Sequence, residues 1–183
     1  VDKGTPSGRI AMQAESLRMS VTGLKAPIEA ISGEATYVLD EGLLGEALQG
    51  RLLAQPVEID VSTIGGALDA ELSGRLSTQS VVSLAGIPLD DTWLSGEAEW
   101  RAHITGSDNG VRARIETEGR GLLSQLPAPL TKRADARGNI SVEIETQDER
   151  RPVRVRVFDS VEIEGSLSES ETDWLIRAPS VDL

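Results

Sequence analysis

The sequence predicts an all-β protein whose strands follow one another in an antiparallel meander. The clearest evidence is the run from Leu94 to Ile104, in which apolar residues or glycine alternate strictly with polar residues. Side chains of a β-strand point alternately to its two faces, so this run predicts a long strand with one aliphatic face and one face in water. Similar runs recur along the chain between clusters of Gly, Pro, Asp and Ser, and the connections are too short for crossover helices.

The first predicted strand begins at Ile10 and continues to Val21. Its alternation changes phase near Ser16, which predicts a β-bulge or a turn at that point. The same pattern predicts ten further strands, about eleven or twelve in all. They lie at residues 31–39, 45–53, 57–61, 67–78, 94–104, 111–119, 138–146, 153–157, 161–167 and 172–177.

Turn residues separate several of these strands. Asn109–Gly110, residues 40–42 and residues 64–66 are predicted to form tight hairpin turns, because glycine and asparagine tolerate positive φ. Residues 119–138 differ, since they contain two prolines and little alternation. This segment is predicted to be a long loop or a short helix that interrupts the sheet, with Lys132 as a solvated charge.

Composition excludes several classes of function. The 183 residues fit one domain or one slice of a repetitive architecture. Thirty acidic against eighteen basic residues give a net charge of -12, which argues against nucleic acid as a partner. There is no cysteine, and no stretch is long and apolar enough to be a membrane span or a signal peptide. We therefore expect any membrane anchor to lie outside this sequence.

The residues needed for catalysis are scarce. The only histidine, His103, is predicted to lie on the water-facing side of its strand, and the sequence has no nucleotide-binding loop or nucleophile elbow. Five aromatic residues are too few for a surface that stacks sugars or bases. We expect a protein that is not an enzyme and that binds neither a cofactor nor a metal ion.

The aliphatic face of the predicted sheet must contact something. Two sheets packed as a β-sandwich would cover it with protein, and periodicity alone favours that arrangement. A single sheet curved into a trough would instead leave the face open for lipid or a partner. The residues predicted to line such a trough are Leu94, Ala98, Trp100, Ile104, Val111, Ile115, Ile140, Val142, Ile144, Val153, Val155, Val157, Val161 and Ile163.

One segment favours the trough. Residues 126–132, Leu-Pro-Ala-Pro-Leu-Thr-Lys, resemble the Leu-Pro-x-Pro-Leu-x-Lys signature of the YhdP family, which are AsmA-like envelope proteins of Gram-negative bacteria. Residues 94–100 and 52–57 resemble two other segments of that family. The sequence departs from the family pattern at residues 117–120, where Thr-Glu-Gly-Arg replaces the usual Ser-Asp pair before the signature.

The resemblance implies a function as well as a fold. It implies a bridge-type lipid transfer protein whose long periplasmic β-sheet forms a hydrophobic trough for phospholipid moving between the inner and outer membranes. The chain would then be an interior segment, joined to neighbouring segments of a longer protein that is anchored in the inner membrane. Four residues of the signature are candidates for a lip over the trough: Leu126, Pro127, Pro129 and Leu130. In the alternative interpretation, the two prolines only end one strand and start the next.

An internal echo suggests how the chain is organised. Residues 31–37 and 94–100 share the pattern apolar-Ser-Gly-Glu-Ala-x-aromatic. This echo predicts two modules, at about residues 25–85 and 86–183, within one β-rich segment that spans residues 1–183, the second module containing the proline loop at 119–138. Unpaired edge strands would also favour self-association of the isolated chain.

Overall fold

The computed structural model describes residues 8–20, 26–39, 41–80, 92–108, 110–146, 151–167 and 172–177. Twelve β-strands account for most of these residues, as the alternation predicts. They are β1 (Arg9–Met19), β2 (Ile28–Val38), β3 (Gly42–Leu52), β4 (Gln55–Ile64), β5 (Ala67–Ser77), β6 (Leu94–Ser107), β7 (Gly110–Thr117), β8 (Leu122–Ser124), β9 (Ile140–Thr146), β10 (Arg151–Val157), β11 (Val161–Leu167) and β12 (Thr172–Arg177).

The strands form one open antiparallel sheet. Eleven of them lie side by side in chain order, and the short β8 pairs with the first residues of β6. Each strand of the described chain packs against its neighbours in the sheet, and no second sheet faces it. The prediction of an open meander is therefore confirmed, and the alternative of a two-sheet sandwich is wrong. The sequence leaves both open because alternation identifies an apolar face without showing what covers it.

The predicted hairpins join these strands. Gly65 and Gly66 connect β4 to β5 with φ values of +58° and +83°, as a type I′ turn requires. Residues 40 and 109 lie outside the described residues, but the strands beside them are paired up to the turn, Val38 with Gly42 and Ser107 with Gly110.

Three neighbouring strands each contain a bulge residue with positive φ. These residues are Ser16 in β1, Ala30 in β2 and Ala47 in β3, with φ values of 58°, 52° and 51°. The pairing register shifts beside each one. A bulge adds one residue to a strand, bends it and inverts its alternation. The strands β1 to β3 are therefore bent, yet apolar residues on both sides of a bulge, such as Ala14 and Leu17 in β1, remain on one face.

The polar face carries a network of ion pairs. Across β7, β9, β10 and β11, arginine and glutamate side chains alternate so that Arg114 contacts Glu143 and Arg154 contacts both Glu143 and Glu164. Every side chain in the described ion pairs is at least 32% exposed. Exposed pairs contribute little stability individually, so the main effect of this network is to keep the face hydrated.

Candidate functional site

The apolar face is the candidate functional site, and its side chains form rows across the strands. Paired residues in a sheet point to the same face. One row joins Ile115, Val142, Val155 and Ile163 through successive strand pairs. A second row joins Ile104, Ala113, Ile144 and Val153. A third row joins Ile140, Val157 and Val161. Thirteen of the fourteen residues predicted to line the trough therefore share one face.

Leu94 is the exception among the predicted lining residues. It lies at the start of β6, opposite Ser124 of β8, and Gly96 separates it from the regular part of the strand with a φ of +108°. Leu94 is half-buried at this end of the sheet. It belongs to the contact between β6 and β8, and the rows of paired residues do not include it.

Burial divides the apolar face into two parts. In the first, on β2 to β6, aliphatic side chains pack tightly on one another, and Val57 and Ile59 are only 1% and 2% exposed. Glycines allow this packing. At Gly50, for example, an added Cβ would lie within 3.3 Å of Ile28, Ile31 and Ile59 side chains. We call this the closed part of the face.

The second part, on β7 to β11, is half-exposed. Ile115, Val142, Ile144 and Val155 are all of intermediate exposure, while Val153 and Val161 are buried. We call these strands the open part of the face. Ala98, Trp100 and Ile104 on β6 are buried, so they belong to the closed part. The sequence could not predict this division, because alternation identifies the apolar side chains of each strand without showing how closely they pack.

The face presents almost no polar chemistry. On the regular strands β2–β7 and β9–β11, none of its described side chains carries a charge. Threonines occur only where strands end, as at Thr117 and Thr146. Such a surface can bind hydrocarbon by burial but has no directional partner for a charged or strongly polar substrate.

Residues 118–139 form a hairpin, here called the Pro hairpin. The sequence predicts a loop or a short helix at this position. Glu118 and Ala134 carbonyls accept hydrogen bonds from the amides of Gly138 and Gly121. Further out, Ser124 and Lys132 exchange both backbone hydrogen bonds. The described residues therefore continue the sheet outward, and the expectation of a helix is wrong.

The tip of the Pro hairpin contains the residues predicted to form a lip. Pro127 and Pro129 are exposed, and Leu126 and Leu130 are half-buried. The Thr131 hydroxyl donates to the Leu126 carbonyl oxygen at 2.5 Å and closes the tip. The tip thus has a defined shape next to the start of β6. Its action as a lip over the apolar face stays a prediction.

Lys132 holds the Pro hairpin together. Its side chain is buried, and Nζ donates to the carbonyl oxygens of Gly119, Leu122 and Arg133 at 2.6, 2.8 and 3.0 Å. Burial lowers the pKa of Lys132, and the nearby Asp135 carboxylate opposes this effect. The expectation that Lys132 is a solvated charge is wrong, because three backbone carbonyls replace water around the ammonium group.

Gly138 leaves room for this arrangement. A Cβ at position 138 would lie 2.7 Å from Lys132 Cδ and 2.7 Å from Phe158 Cδ1. The Phe158 amide donates to the Asn139 carbonyl oxygen at 2.7 Å, and the Phe158 ring centroid lies 6.0 Å from Lys132 Nζ. The turn between β10 and β11 therefore packs on the Pro hairpin and supports its lysine.

The described residues of the polar face bring together no group suited to metal binding. His103 is half-exposed there, with Nε2 3.2 Å from Asp69 Oδ2. In the described part of the chain, no group of three or more His, Asp or Glu side chains could hold a metal ion. A depression of about 470 Å³ on this face is lined mainly by ion-pairing and other polar side chains, including Glu71, Arg101 and Glu116.

Comparison with known proteins identifies the family. A family model described as YhdP protein matches residues 2–183. The chain belongs to the YhdP family. No curated protein and no solved structure matches the chain significantly. Within the described residues, no helix has the length and hydropathy needed to cross a lipid bilayer.

Family membership gives a structural meaning to the signature at residues 126–132. The two prolines and their leucine neighbours form the tip of the Pro hairpin, and the lysine that ends the signature anchors that tip to three carbonyls. The departure at residues 117–120 falls where the hairpin leaves β7. There Gly119 has a φ of +63° and its carbonyl accepts from Lys132, so this variant loop still supports the anchor.

Proposed function

We propose that this YhdP-family chain is a non-enzymatic segment of a phospholipid conduit between the inner and outer membranes of a Gram-negative envelope. In this proposal the segment lies in the periplasm, is joined to neighbouring segments of a longer protein, and is anchored to the inner membrane through residues outside this sequence. Acyl chains lie on the apolar face, and head groups remain in water at the ends of the strands.

The single observation that carries the proposal is an apolar face that continues across a single open sheet. Its open part on β7 to β11 leaves aliphatic side chains half-exposed, although the opposite face of the same strands is polar apart from Pro152. An uncovered aliphatic surface of this kind is unfavourable in water and indicates a hydrophobic partner. Family membership favours lipid as that partner.

Burial supplies the binding energy in this mechanism. Each methylene group that leaves water contributes about 0.8 kcal/mol, or about 25 cal/mol for each Å² of apolar surface. Because the face lacks charged groups, this energy depends little on where along the rows of Val and Ile the acyl chain lies. A chain can therefore move from one row to the next without breaking a specific polar contact.

Lipid extraction tests the proposal. The chain is produced in a bacterial periplasm, purified without detergent and extracted with organic solvent, and the extract is analysed by mass spectrometry. We expect phospholipid to copurify with the folded chain. A folded sample that contains no lipid at any stoichiometry contradicts the proposal.

A pair of adjacent substitutions separates binding on the apolar face from nonspecific adhesion. Val142 lies on the open part of the face, and Ser141 precedes it on the opposite face of β9. We expect V142D to remain folded and to lose most of its bound lipid, because a carboxylate there opposes burial of acyl chains. S141D adds the same charge and should retain lipid. Equal lipid content in the two variants contradicts binding at this face.

A further inference from the structure

Among the described side chains of the apolar face on strands β2–β7 and β9–β11, Trp100 is the one hydrogen-bond donor that lies away from the strand ends. It lies in the middle of β6, between Ala98 and Ala102 on the same face. On strands β2–β7 and β9–β11, the other polar side chains of this face are within one residue of a strand end. These are Tyr37, Gln55, Thr63, Thr117 and Thr146.

The indole N–H of Trp100 has no hydrogen-bond partner among the residues that the structure describes. The residue is only 8% exposed, and Nε1 is buried without a hydrogen bond. Nearly all buried donors in folded proteins are satisfied by protein or water, because an unpaired donor loses the hydrogen bond that it made to water in the unfolded chain. A buried donor without a partner on a binding face indicates a group that the ligand supplies.

Gly74 lets the indole ring lie close against the backbone of the neighbouring strand. Gly74 of β5 is paired with Trp100, and a Cβ at position 74 would lie 3.4 Å from Nε1. The same point is 2.8 Å from the Pro56 carbonyl oxygen. Ala98 and Ala102 on either side of Trp100 carry only a methyl group. Glycine at position 74 thus lets the indole nitrogen approach the sheet backbone, inside an otherwise aliphatic surface.

The surroundings restrict the chemistry of the missing acceptor. Among the described residues, no charged side chain lies on this face beside Trp100 to pair with an ionised group, so a phosphate there would be desolvated without compensation. The acceptor must instead be neutral and attached to hydrocarbon. The carbonyl oxygen of a fatty-acyl ester has both properties, and it joins the acyl chains to the head group.

We propose that the Trp100 indole N–H donates a hydrogen bond to an ester carbonyl oxygen of a bound diacyl lipid. This inference rests on the proposed function and adds one position at which the ester group of the lipid is held. Acyl chains bind along the face without specificity, and the ester group is retained at Trp100. The residue positions the lipid where the closed and open parts of the apolar face meet.

Ether lipids provide the test, because they keep the chains and head group but lack ester carbonyls. Binding of diacyl phosphatidylglycerol and its dialkyl ether analogue is measured for the wild-type chain and for W100F, which keeps an aromatic ring but has no N–H. We expect the wild type to bind the diacyl lipid about fivefold to tenfold more tightly than the ether lipid. In W100F we expect this preference to disappear through weaker binding of the diacyl lipid alone.

Other outcomes overturn the inference without affecting the proposed function. Equal binding of the two lipids by the wild type means that Trp100 bonds to water or to nothing. A similar loss for both lipids in W100F means that the indole acts only by packing. If the wild type binds neither lipid, the proposed function itself fails.

A measurement on the wild-type chain covers the case in which W100F does not fold. The chain has three tryptophans, so its nitrogen-15 spectrum has three indole N–H signals, which W93F and W174F assign by elimination. We expect the Trp100 indole proton to shift downfield on loading with the diacyl lipid and to remain in place with the ether lipid. The same shift with both lipids contradicts an ester bond.

Discussion

Lys132 shows how one side chain determines the geometry of the signature segment. Its ammonium group is bound by two carbonyls of the first arm of the Pro hairpin, those of Gly119 and Leu122, and by the carbonyl of the neighbouring Arg133 on the second arm. Without that group, the three carbonyls would be buried with fewer partners. The prolines restrict the tip locally, but the lysine fixes the tip relative to the sheet.

Replacing Lys132 should therefore destabilise the hairpin. We expect K132M, which keeps the length of the side chain, to lower the free energy of unfolding by about 2–3 kcal/mol, because buried hydrogen bonds to a charged group are lost. Urea denaturation measures this change, and faster hydrogen exchange at the amides of Gly121 and Ser124 would locate it in the Pro hairpin.

The neighbouring residue provides the control for this prediction. Arg133 is 83% exposed and pairs only with Asp135, so R133M should change stability by less than about 0.5 kcal/mol. Equal effects of K132M and R133M would show that the buried ammonium does not hold the hairpin.

The burial of Lys132 could not be predicted from the sequence. A lysine beside an arginine in a proline-containing segment is typical of an exposed loop. The carbonyls that surround it become available only because the Pro hairpin folds back on itself and Gly138 leaves space. Solvation of a lysine thus depends on tertiary contacts, whereas the apolar face of each strand is specified locally by alternation.

At the scale of the strand, the bulges in β1 to β3 keep the apolar side chains on one face. The phase change near Ser16 makes the first bulge predictable. The bulges at Ala30 and Ala47 are not predictable in the same way, because alanine gives no turn signal and disfavours positive φ. Their conformation is imposed by the neighbouring strands, and the Ala47 amide is bound by Asp60 Oδ1 at 2.7 Å.

Glycine should be preferred over alanine at such a bulge. We expect A47G to raise the free energy of unfolding by about 0.5–1 kcal/mol, because glycine adopts positive φ without strain and the exposed alanine methyl group buries little surface. The control is A11G, at an exposed alanine in the regular part of β1, which should lower stability by about 0.5–1 kcal/mol. Thermal denaturation of both variants measures the difference, and the same sign for both would argue against strain at residue 47.

The internal echo has a structural counterpart at this scale. Gly33 and Gly96, at matching positions of the repeated pattern, both have positive φ within a strand, 140° and 108°. The aromatic residues that end the pattern, Tyr37 and Trp100, both lie on the apolar face. The division into modules at about 25–85 and 86–183 stays a prediction, and the sheet itself continues through ten paired positions of β5 and β6.

For the whole molecule, the closed and open parts of the apolar face should respond differently to charge. We expect I59D to unfold the chain, because Ile59 is 2% exposed and a carboxylate there cannot be solvated. I144D, on the open part, should lower the free energy of unfolding by only about 1–2 kcal/mol. Circular dichroism in urea distinguishes the two, and unfolding of both variants would mean that β7 to β11 are also part of a closed core.

The exposed edge strand β1 should promote self-association. Ile10 is 57% exposed on this strand, and edge strands offer unpaired backbone groups to another chain. We expect sedimentation velocity to show oligomers of the wild type that I10K disrupts. I64K is the control, because Ile64 is 70% exposed but does not lie on an edge strand. A monomeric wild type at high concentration contradicts this prediction.

Because the sheet is a single layer, its stability depends mainly on contacts between strands that follow one another along the chain. Because strands pack mainly against their sequential neighbours, a loss of structure at one edge can advance strand by strand, as it does in repeat proteins. Opening should then be easiest at β1 and β12 and hardest near β4 and β5, where the closed part provides most of the burial. The same nearest-neighbour logic means that a sheet of this kind can be lengthened by adding strands, without redesigning those already present.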